Sequence, residues 1–328
     1  MREDGIINAL KTEAQKHTAL TYAQFCEIAL YHPLFGYYQQ KRQRVGRNRD
    51  TDFYTAESLG PVFAQLTIAA VKSILRHENL NDFTFVELGA EPGSGSFAET
   101  THNFNGYQAF SVQDEILLSG KSVVFANEIL DAQPFHRLVF KNGVWRELGV
   151  RLDGDELVES ELPELSQPIV AAELDLPSTA PDGYLLDVSP QAEALLHKIC
   201  SNHWQGVLVL FDYGKLWHEL VSNCPSGTAR AYRRHNISRN LLDTPGQQDL
   251  TCHVCWDRLE KVALRSGFTA MKLERQEAFF VHHAQDEISR IISSKPGEFD
   301  SARQDVIELI HPHHMGSKFQ VLSGLRMP

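Results

Sequence analysis

Acidic side chains follow three apolar segments of this chain, each at the point where the segment breaks. Glu87 ends the first segment, Glu128 and Asp131 follow the second, and Asp212 ends the third. If the segments are parallel strands, their carboxyl ends share one edge of a sheet, which is where open α/β sheets bind ligands. One such acid by itself is an ordinary helix cap or turn residue. Three acidic positions at strand ends indicate a shared binding or catalytic site.

The first of these acids opens a glycine-rich turn that reads Glu-Leu-Gly-Ala-Glu-Pro-Gly-Ser-Gly over residues 87–95. An apolar strand that breaks into such a turn before a helix leaves space for a nucleotide-like cofactor at its carboxyl end. Glycine permits both the tight turn and a close approach of the backbone to the cofactor. The turn therefore predicts a cofactor site beside Glu87.

The elements that must position these residues alternate between strands and helices. Strands are predicted at residues 84–88, 121–126, 206–211, 268–273 and 318–322, and helices at about 59–75, 190–200 and 255–265. This alternation predicts an α/β fold with a doubly wound, mostly parallel sheet and helices on both faces. The late strands leave room for an antiparallel strand at one edge.

Two further segments carry clear local signals. Thr21 and Gln24 form a capping-box pattern that starts a helix, and Pro33 ends it. Asn142-Gly143 lies between apolar flanks, which is the strongest short signal for a β-hairpin. We therefore expect an amino-terminal helical and aromatic cap over residues 1–58, and an α/β domain over residues 59–328 with a β-hairpin insertion at about 135–182.

The composition is that of an ordinary globular protein, with 42% hydrophobic and 22% charged residues. No apolar run approaches the roughly 18 residues that cross a bilayer, and the first residues lack the apolar core of a secretory signal. The formal net charge of −11 disfavours a general nucleic-acid binder and suits a cationic ligand better. We therefore expect a cytoplasmic protein with no membrane insertion and no nucleic-acid partner.

One short stretch, Cys252-His253-Val254-Cys255, has the spacing of a metal site, and His311, His313 and His314 could complete it. No second cysteine pair is present, and the stretch leads directly into a predicted helix. Five cysteines in 328 residues also do not form a disulfide framework. The sequence therefore predicts no metal site.

Seven short segments, taken in order, resemble the MidA-like S-adenosylmethionine-dependent methyltransferases. That family includes the mitochondrial complex I assembly enzyme that methylates a protein arginine. The segments are Tyr31–Tyr38, Asp52–Thr55, Glu87–Ala90, Asn127–Pro134, Asp212–Gly214, Asp249–Thr251 and Met315–Phe319. Each is short, but their number and order are specific, and the resemblance extends from about residue 22 to the end of the chain.

The resemblance implies a seven-stranded class I methyltransferase fold of the Rossmann-like type. It also implies S-adenosylmethionine as cofactor and a protein substrate or assembly partner, with an arginine side chain as the methyl acceptor. The cofactor-binding residues implied by the family's motifs are Thr55, Glu87, Gly89, Gly93, Asn127 and Glu128.

Methyl transfer from a sulfonium is an in-line displacement, so the protein must align the reacting groups and exclude water. An arginine guanidinium stays protonated, and carboxylates that hold its other nitrogens would orient it. Glu128 and Asp131 are the candidates for this grip, and Asp212 is a candidate either for the grip or for accepting the released proton. The candidate substrate-binding aromatics are Tyr37, Tyr38, Phe53 and Tyr213. The alternative for the aromatics near the amino terminus is a packed cluster under the cap.

Two departures from the family pattern leave a second hypothesis open. Glu91 replaces the middle glycine of the glycine-rich turn, and only a short segment separates Gly93 from the strand at Lys121. Either Asp114 or Glu115 supplies the acid that holds the ribose in this fold, or a strand–helix unit has been lost. The first hypothesis is therefore an active methyltransferase that acts on a protein. The second is a catalytically inactive member that serves as a protein-binding assembly factor. A third, a methyltransferase that acts on a small molecule, agrees less well with the motifs.

Overall fold

The computed structural model describes residues 2–40, 44, 46, 51–52, 56–90, 96–111, 114–154, 156–294 and 300–327. Its strands are β1 (Leu20–Thr21), β2 (Thr84–Leu88), β3 (Gly106–Phe110), β4 (Ser119–Asn127), β5 (His136–Lys141), β6 (Val144–Asp153), β7 (Glu156–Glu161), β8 (Leu185–Val188), β9 (His203–Asp212), β10 (Gly214–Lys215), β11 (Arg230–Arg233), β12 (Asn236–Ser238), β13 (Asp249–Thr251), β14 (Val254–Cys255), β15 (Thr269–Arg275) and β16 (Gln320–Arg326). Its α-helices are α1 (Arg2–Ala14), α2 (Tyr22–Tyr31), α3 (Pro61–Leu75), α4 (Ser96–Glu99), α5 (Gln167–Ala171), α6 (Pro190–Ser201), α7 (Trp217–Asn223), α8 (Trp256–Arg265), α9 (Gln276–His283), α10 (Gln285–Ile292) and α11 (Asp300–Ile310).

The largest sheet has the strand order β15-β16-β9-β4-β2-β3. The four strands from β9 to β3 are mutually parallel, and β16 runs antiparallel to both of its neighbours. Strands β4 and β9 are continuous apolar runs because both of their faces are covered. The predicted α/β sheet is thus confirmed with two corrections. In the described residues it has six strands rather than seven, and the antiparallel strand lies inside the sheet rather than at an edge.

Helices cover both faces of this sheet, as the alternation of elements predicted. On one face, α3 and α9 pack over a cluster of aromatic rings centred on Phe211, whose centroid lies 5.4 Å from that of Phe63 and 5.7 Å from that of Phe280. On the other face, α6 and α8 pack over Trp204 and Phe268. Phe211 lies near the carboxyl end of β9, whereas Trp204 lies at its amino end, so the two clusters support the sheet on opposite faces and at opposite ends of this strand.

The short segment after the glycine-rich turn keeps one strand, and the described residues form six strands where the family fold has seven, which agrees with the loss of one strand–helix unit there. The single-turn helix α4 leads into β3, which pairs in parallel with β2 and forms the sheet edge. Between Phe110 and Ser119 the described residues form no further helix or strand. The strand that is absent from the six-stranded sheet would therefore lie beyond β3.

A second β-structure stands beside the large sheet. Strands β5 and β6 pair across Asn142-Gly143, both of which have positive φ as a tight two-residue hairpin turn requires. Strand β1 pairs with β6, β8 pairs with β5, and β7 pairs with β6. Helix α2 shares a buried cluster with these strands through Phe25 and Phe135. The segment before residue 59 and the segment after residue 135 therefore share one core, and the boundaries given above for a cap and an insertion stay a prediction.

In the described ranges, no helix combines the length and the apolar character that spanning a bilayer requires. The same ranges hold no group of three or more histidine, cysteine or acidic side chains placed to bind a metal. Cys252 is buried in the core that α2 shares with the second β-structure, and Cys255 is half-buried at the start of α8.

Replacing Phe211 with alanine should destabilise the fold strongly, because its ring lies at the centre of the aromatic cluster and is 1% exposed. We expect Phe211→Ala to lower the free energy of unfolding by about 3–5 kcal/mol, measured by urea denaturation. Leu264→Ala on the exposed side of α8 is the control and should change it by less than about 1 kcal/mol. An equal effect of the two variants would contradict the assigned core.

Candidate active site

The loop that follows β4 is fixed by the carboxylate at the end of β9. Asp212 Oδ2 accepts hydrogen bonds from the backbone amides of Leu130 (3.0 Å) and Asp131 (3.2 Å). Its Oδ1 accepts from the amide of Tyr213 at 2.8 Å. Asp212 is 1% exposed, so its carboxylate lies behind the loop rather than in a cavity. Asp212 therefore positions the loop, so its predicted grip on a substrate would act through the loop, whereas accepting a proton would require a direct contact with the substrate.

Glu128 in this loop has a strained backbone. Its φ is +53°, a left-handed conformation that is uncommon for residues other than glycine, and its amide donates to Phe211 O at 2.9 Å. The surrounding bonds from Asp212 and Phe211 hold this conformation in place. Backbone strain that is held in this way is concentrated at functional sites.

Asn127 carries a polar atom that lacks a partner. Its Nδ2 lies 3.3 Å from Glu128 Oε1, whereas its Oδ1 is buried and accepts no hydrogen bond within the described part of the chain. A buried acceptor without a donor is costly, so such an atom indicates a missing ligand or water. Asn127 lies at the carboxyl end of β4 and follows Ala126, which pairs with Leu88 at the end of β2.

A cavity of about 440 Å³ opens next to the loop, and we call it the acidic cavity. It is lined by Tyr38, Asp52, Glu128, Asp131, Tyr213, Tyr232, His235, Ile237, Asp249, Thr251 and Lys318. Four of these residues carry carboxylates and three are tyrosines, against a single lysine. Such a concentration of negative charge and aromatic faces favours a cationic ligand.

The carboxylates of the acidic cavity perturb one another. Burial, and after it the charges of Asp212 and Glu128, raise the pKa of Asp131 well above its usual range. Burial raises the pKa of Asp249 to about 7, and it raises the pKa of Asp212 to about 7 against the lowering effect of the bonded amides. Asp131, Asp212 and Asp249 therefore bind protons more readily than carboxyl groups in water do.

Tyr38 connects the amino-terminal segment to this cluster. Its hydroxyl donates to Asp249 Oδ1 at 2.9 Å, and the amide of Leu250 donates to the same oxygen at 3.0 Å. The Tyr38 ring stacks on Tyr31 with centroids 5.3 Å apart, and the guanidinium of Arg44 lies 5.3 Å from the Tyr38 centroid. The face of Tyr38 is thus packed, and its hydroxyl points at the acid.

Asp52 ties the same segment to the β11–β12 hairpin. Its carboxylate accepts from the hydroxyl of Tyr37 at 2.7 Å and from the amide of Arg234 at 2.9 Å. Its carbonyl accepts from the amide of His235 at 2.8 Å. Asp52 is fully buried, so it holds one wall of the acidic cavity against another.

A second cavity of about 320 Å³ lies on the other side of the loop, and we call it the glycine-turn cavity. It is lined by Glu27, Tyr31, Gln39, Leu88, Gly89, Ser111, Ile116, Ile129, Gln133 and Leu195. Gly89 has φ +80°, and a Cβ built there would lie 2.1 Å from Ile129 Cγ2, so only glycine fits. Glu128 lines the acidic cavity and the next residue, Ile129, lines the glycine-turn cavity, so the loop after β4 separates the two. The stacked rings of Tyr31 and Tyr38, one in each lining, also separate them.

The structure brings only part of the predicted site together. Glu128, Asp131, Tyr38 and Tyr213 line the acidic cavity, and Gly89 lines the glycine-turn cavity. Tyr37 is buried beneath Asp52, which agrees with the packed-cluster alternative for that residue.

Five other predicted positions lie outside both linings, namely Asn127 and Asp212, described above, and Glu87, Asp114 and Glu115. Glu87 is buried in β2 and accepts from the hydroxyl of Tyr107 on β3. Asp114 and Glu115 are exposed, and Asp114 accepts from the amide of Ser111 at 2.6 Å. Phe53, Thr55, Glu91 and Gly93 lie outside the described residues.

Sequence reasoning missed seven residues that the structure adds to the acidic cavity, namely Asp52, Tyr232, His235, Ile237, Asp249, Thr251 and Lys318. Asp52, Asp249 and Lys318 stand in three of the seven segments that carry the family resemblance, which was the available signal. Tyr232 had no signal, because it reaches the cavity only through the pairing of β11 with β13.

The raised pKa of Asp249 predicts a pH dependence of stability. An aspartate in the unfolded chain has a pKa of about 3.9, so between pH 4 and 7 the folded protein binds an extra proton, and stability falls as pH rises. Asp249→Asn removes this titration. We expect the free energy of unfolding of this variant, minus that of the unmodified protein, to increase by about 1–3 kcal/mol between pH 5 and pH 7, because the variant no longer loses stability through this group.

Urea denaturation at pH 5, 6 and 7 measures this difference. Asp175→Asn, which changes an exposed carboxylate, is the control and should run parallel to the unmodified protein at these pH values. A parallel profile for Asp249→Asn as well would show that the Asp249 carboxyl ionises as in water.

Comparison with known proteins supports the same fold and family. Residues 102–273, just over half of the chain, match a family model described as "Putative S-adenosyl-L-methionine-dependent methyltransferase". A crystal structure from Burkholderia thailandensis, bound to S-adenosyl-homocysteine, superposes with a TM-score of 0.86 at 24% identity, covering 99% of this chain and 92% of that one. A second structure from the same organism gives a TM-score of 0.82 at 22% identity over the same shares of the two chains.

Curated relatives are more distant. The mitochondrial protein arginine methyltransferase NDUFAF7 of Danio rerio is 25% identical over 225 residues, which cover 67% of this chain and 50% of that protein. Its Drosophila melanogaster homologue is 23% identical over 62% of this chain and 47% of that protein. The chain thus spans about half the length of the curated relatives it matches.

The matched family model names S-adenosylmethionine, which is the cofactor predicted from the sequence. The structural neighbours confirm the α/β methyltransferase fold. The match over half of the chain, the shared fold and the order of the seven motif segments lead to one conclusion: the chain belongs to the MidA-like family of S-adenosylmethionine-dependent methyltransferases.

Proposed function

We propose that the protein transfers a methyl group from S-adenosylmethionine to the guanidinium of an arginine side chain in a protein substrate. The observation that carries this proposal is the acidic cavity, where four carboxylates and three tyrosines surround a space next to the cofactor side of the sheet. The names of the distant curated relatives, which are protein arginine methyltransferases, support the same acceptor.

The residues present suit the cofactor. The unpartnered Oδ1 of Asn127 is an acceptor that fits the ammonium group of a methionine moiety. Gly89 opens the glycine-turn cavity, where Ser111, Gln133 and Glu27 offer polar groups for an adenosine. When bound, S-adenosylmethionine supplies a methyl group on a positively charged sulfur.

The carboxylates of Glu128 and Asp131 would orient the acceptor. A guanidinium presents its donors in a planar fork that matches carboxylate oxygens, and burial strengthens each charged hydrogen bond. Asp131 is 4% exposed, so an entering cation would replace the protons that the cluster otherwise holds. The loop held by Asp212 would thus orient the nucleophilic nitrogen toward the methyl group. An in-line displacement depends mainly on this alignment.

Asp249 is the candidate for accepting the released proton. The two hydrogen bonds that its carboxylate accepts within the described residues both go to Oδ1, from Tyr38 and Leu250, so Oδ2 is the oxygen left to accept a proton. Formation of the N–C bond would break the methyl–sulfur bond and leave S-adenosylhomocysteine, and the N–H proton released from the guanidinium nitrogen would go to Oδ2 of Asp249. A pKa of about 7 suits this step, because a general base works best with a pKa near the working pH.

Aromatic rings complete the cavity. Tyr213 packs on Phe319 with centroids 4.1 Å apart, so its position is fixed by the core. Tyr213 and Tyr232 would contact a bound cation, and together with the packed ring of Tyr38 they would keep water away from the reacting nitrogen.

We also propose that the protein works in a reducing compartment, with the cytoplasm as the location expected from the sequence. All five cysteines are unpaired, and such thiols persist where the cell keeps them reduced. The curated relatives are named as mitochondrial proteins, so fractionation of the source cells decides between the two compartments.

Calorimetric titration with S-adenosylhomocysteine tests the cofactor site. We expect a dissociation constant in the micromolar range, and we expect Asn127→Ala to weaken binding about tenfold or more because a hydrogen bond to a charged group is lost. Asn105→Ala, on an exposed residue, is the control and should bind as the unmodified protein does. Absence of binding at millimolar ligand would contradict the proposal and favour the inactive assembly factor.

Methyl transfer to two synthetic peptides, identical except for a central arginine or lysine, tests the acceptor. We expect the arginine peptide to gain one methyl group by mass spectrometry, and Asp131→Asn to lower the rate about 100-fold or more while the affinity for S-adenosylhomocysteine stays unchanged. Asp175→Asn is the control and should keep full activity. Transfer to the lysine peptide alone would contradict the choice of arginine but leave the methyltransferase activity standing.

A further inference from the structure

A basic hairpin forms part of the acidic cavity's wall. It comprises residues 230–239, that is β11, the turn at Arg234-His235, β12 and the residue that follows, and we call it the basic hairpin. It carries four arginines at positions 230, 233, 234 and 239 in a chain whose net charge is −11. Among the residues that the structure describes, no carboxylate forms an ion pair with any of these four guanidinium groups.

The arrangement of these charges is unfavourable without a partner. Ala231 pairs with Ser238, so Arg230 and Arg239 flank the next position of the ladder and repel each other. Burial, and after it the charge of Arg239, lower the pKa of Arg230. Within the described residues, Arg233 donates to the amide oxygen of Gln247 at 2.8 Å, and Arg230 donates to the carbonyl oxygens of Gly227 and Ala229, so neither guanidinium contacts a carboxylate. The fold thus places like charges together, and an anion would relieve their repulsion.

The turn of the basic hairpin also carries strain. Arg234 and His235 have φ of +48° and +62°, the conformation of a two-residue hairpin turn that Asn-Gly adopts at far lower cost. Asp52 holds the turn in place through the amides of both residues. An arginine therefore projects from a turn where glycine would be more stable, as expected if its side chain has a function.

The basic hairpin adjoins the acidic cavity directly. Tyr232, His235 and Ile237 line the cavity, and the Arg233, Arg234 and Arg239 positions belong to the same ten-residue hairpin. Ile237 is 65% exposed and offers an apolar contact beside the positive charges. A ligand that reaches both sites must carry a positive group for the cavity and negative groups next to it.

We propose that the basic hairpin is the docking surface for an acidic segment of the substrate protein, adjacent in sequence to the arginine that enters the acidic cavity. This proposal rests on the proposed function. A peptide carries both signs of charge within a few residues, whereas a nucleic acid would bring phosphates against the four carboxylates of the cavity. The preference for acidic flanks is therefore a property of the hairpin, and the preference for arginine is a property of the cavity.

Fluorescence anisotropy with three labelled synthetic peptides separates the two properties. The first has a central arginine flanked by aspartate and glutamate, the second has asparagine and glutamine at the flanks, and the third keeps the acidic flanks but has glutamine at the centre. At low ionic strength, where exposed charges are least screened, we expect the first to bind about tenfold more tightly than the second. The third should retain part of this advantage over the second.

The double variant Arg234→Asn with Arg239→Gln tests the hairpin itself. Asparagine tolerates the left-handed turn, so the backbone should keep its shape. We expect binding of the first peptide to weaken about fivefold or more, and binding of the second to stay unchanged. Lys261→Gln with Arg265→Gln, which removes the same charge from exposed positions on α8, is the control and should leave both affinities as they are.

Equal binding of the first and second peptides, or an unchanged preference in the double variant, would overturn the docking proposal even if arginine methylation is observed. Failure of the proposed function looks different, because it removes methyl transfer and the advantage of arginine over glutamine while the acidic flanks still bind. Tighter binding of a single-stranded RNA oligonucleotide than of the first peptide, lost in the double variant, would also overturn the proposal and assign the hairpin to nucleic acid.

Discussion

The bonds from the Asp212 carboxylate to the backbone of the next loop are the interaction on which the site depends. One buried side chain at the end of β9 accepts three amides, two of them from the loop after β4. That loop separates the glycine-turn cavity from the acidic cavity and carries Asn127, Glu128 and Asp131 between them. A carboxylate is suited to this task because it accepts several hydrogen bonds at once and donates none. The strained backbone of Glu128 is a consequence of the same constraint.

The carboxylates that line the acidic cavity repel one another. The fold holds them together, and this repulsion makes the cavity suited to a cation. Asp52, Glu128, Asp131 and Asp249 share one space because different parts of the chain each contribute an acid for a structural reason of their own. Tyr38 bonds Asp249, and Asp52 bonds the turn of the basic hairpin, so the amino-terminal segment and the hairpin are joined through acids of the cavity. A bound cation would stabilise the four carboxylates. The arginines of the basic hairpin beside them would be stabilised by an anion. The acidic cavity and the basic hairpin are therefore complementary to a ligand that carries both a positive group and negative groups.

Much of the central sheet could be predicted, because its strands are apolar runs of distinct length that end at glycines, acids or prolines. The strand β4, the helix α6 and the strand β9 lie within a few residues of their predicted positions. The six-stranded order and the internal position of β16 could not be predicted, since periodicity reports burial but not which strand is the neighbour. The strand β3 was not predicted, because its residues are half-buried or exposed at the sheet edge, where the apolar signal is weak.

The sequence by itself determined the family, the cofactor and the acids at strand ends, because short motifs and their order are local properties of the chain. It did not determine which acids face the ligand. Asp212 and Glu87 accept hydrogen bonds from neighbouring strands and loops, whereas Asp52 and Asp249 line the acidic cavity. Only the packing of the amino-terminal segment and of β13 against the sheet decides which acids line the cavity. The direction of a side chain and the burial that shifts its pKa arise from contacts between residues far apart in the chain, and no local pattern encodes them.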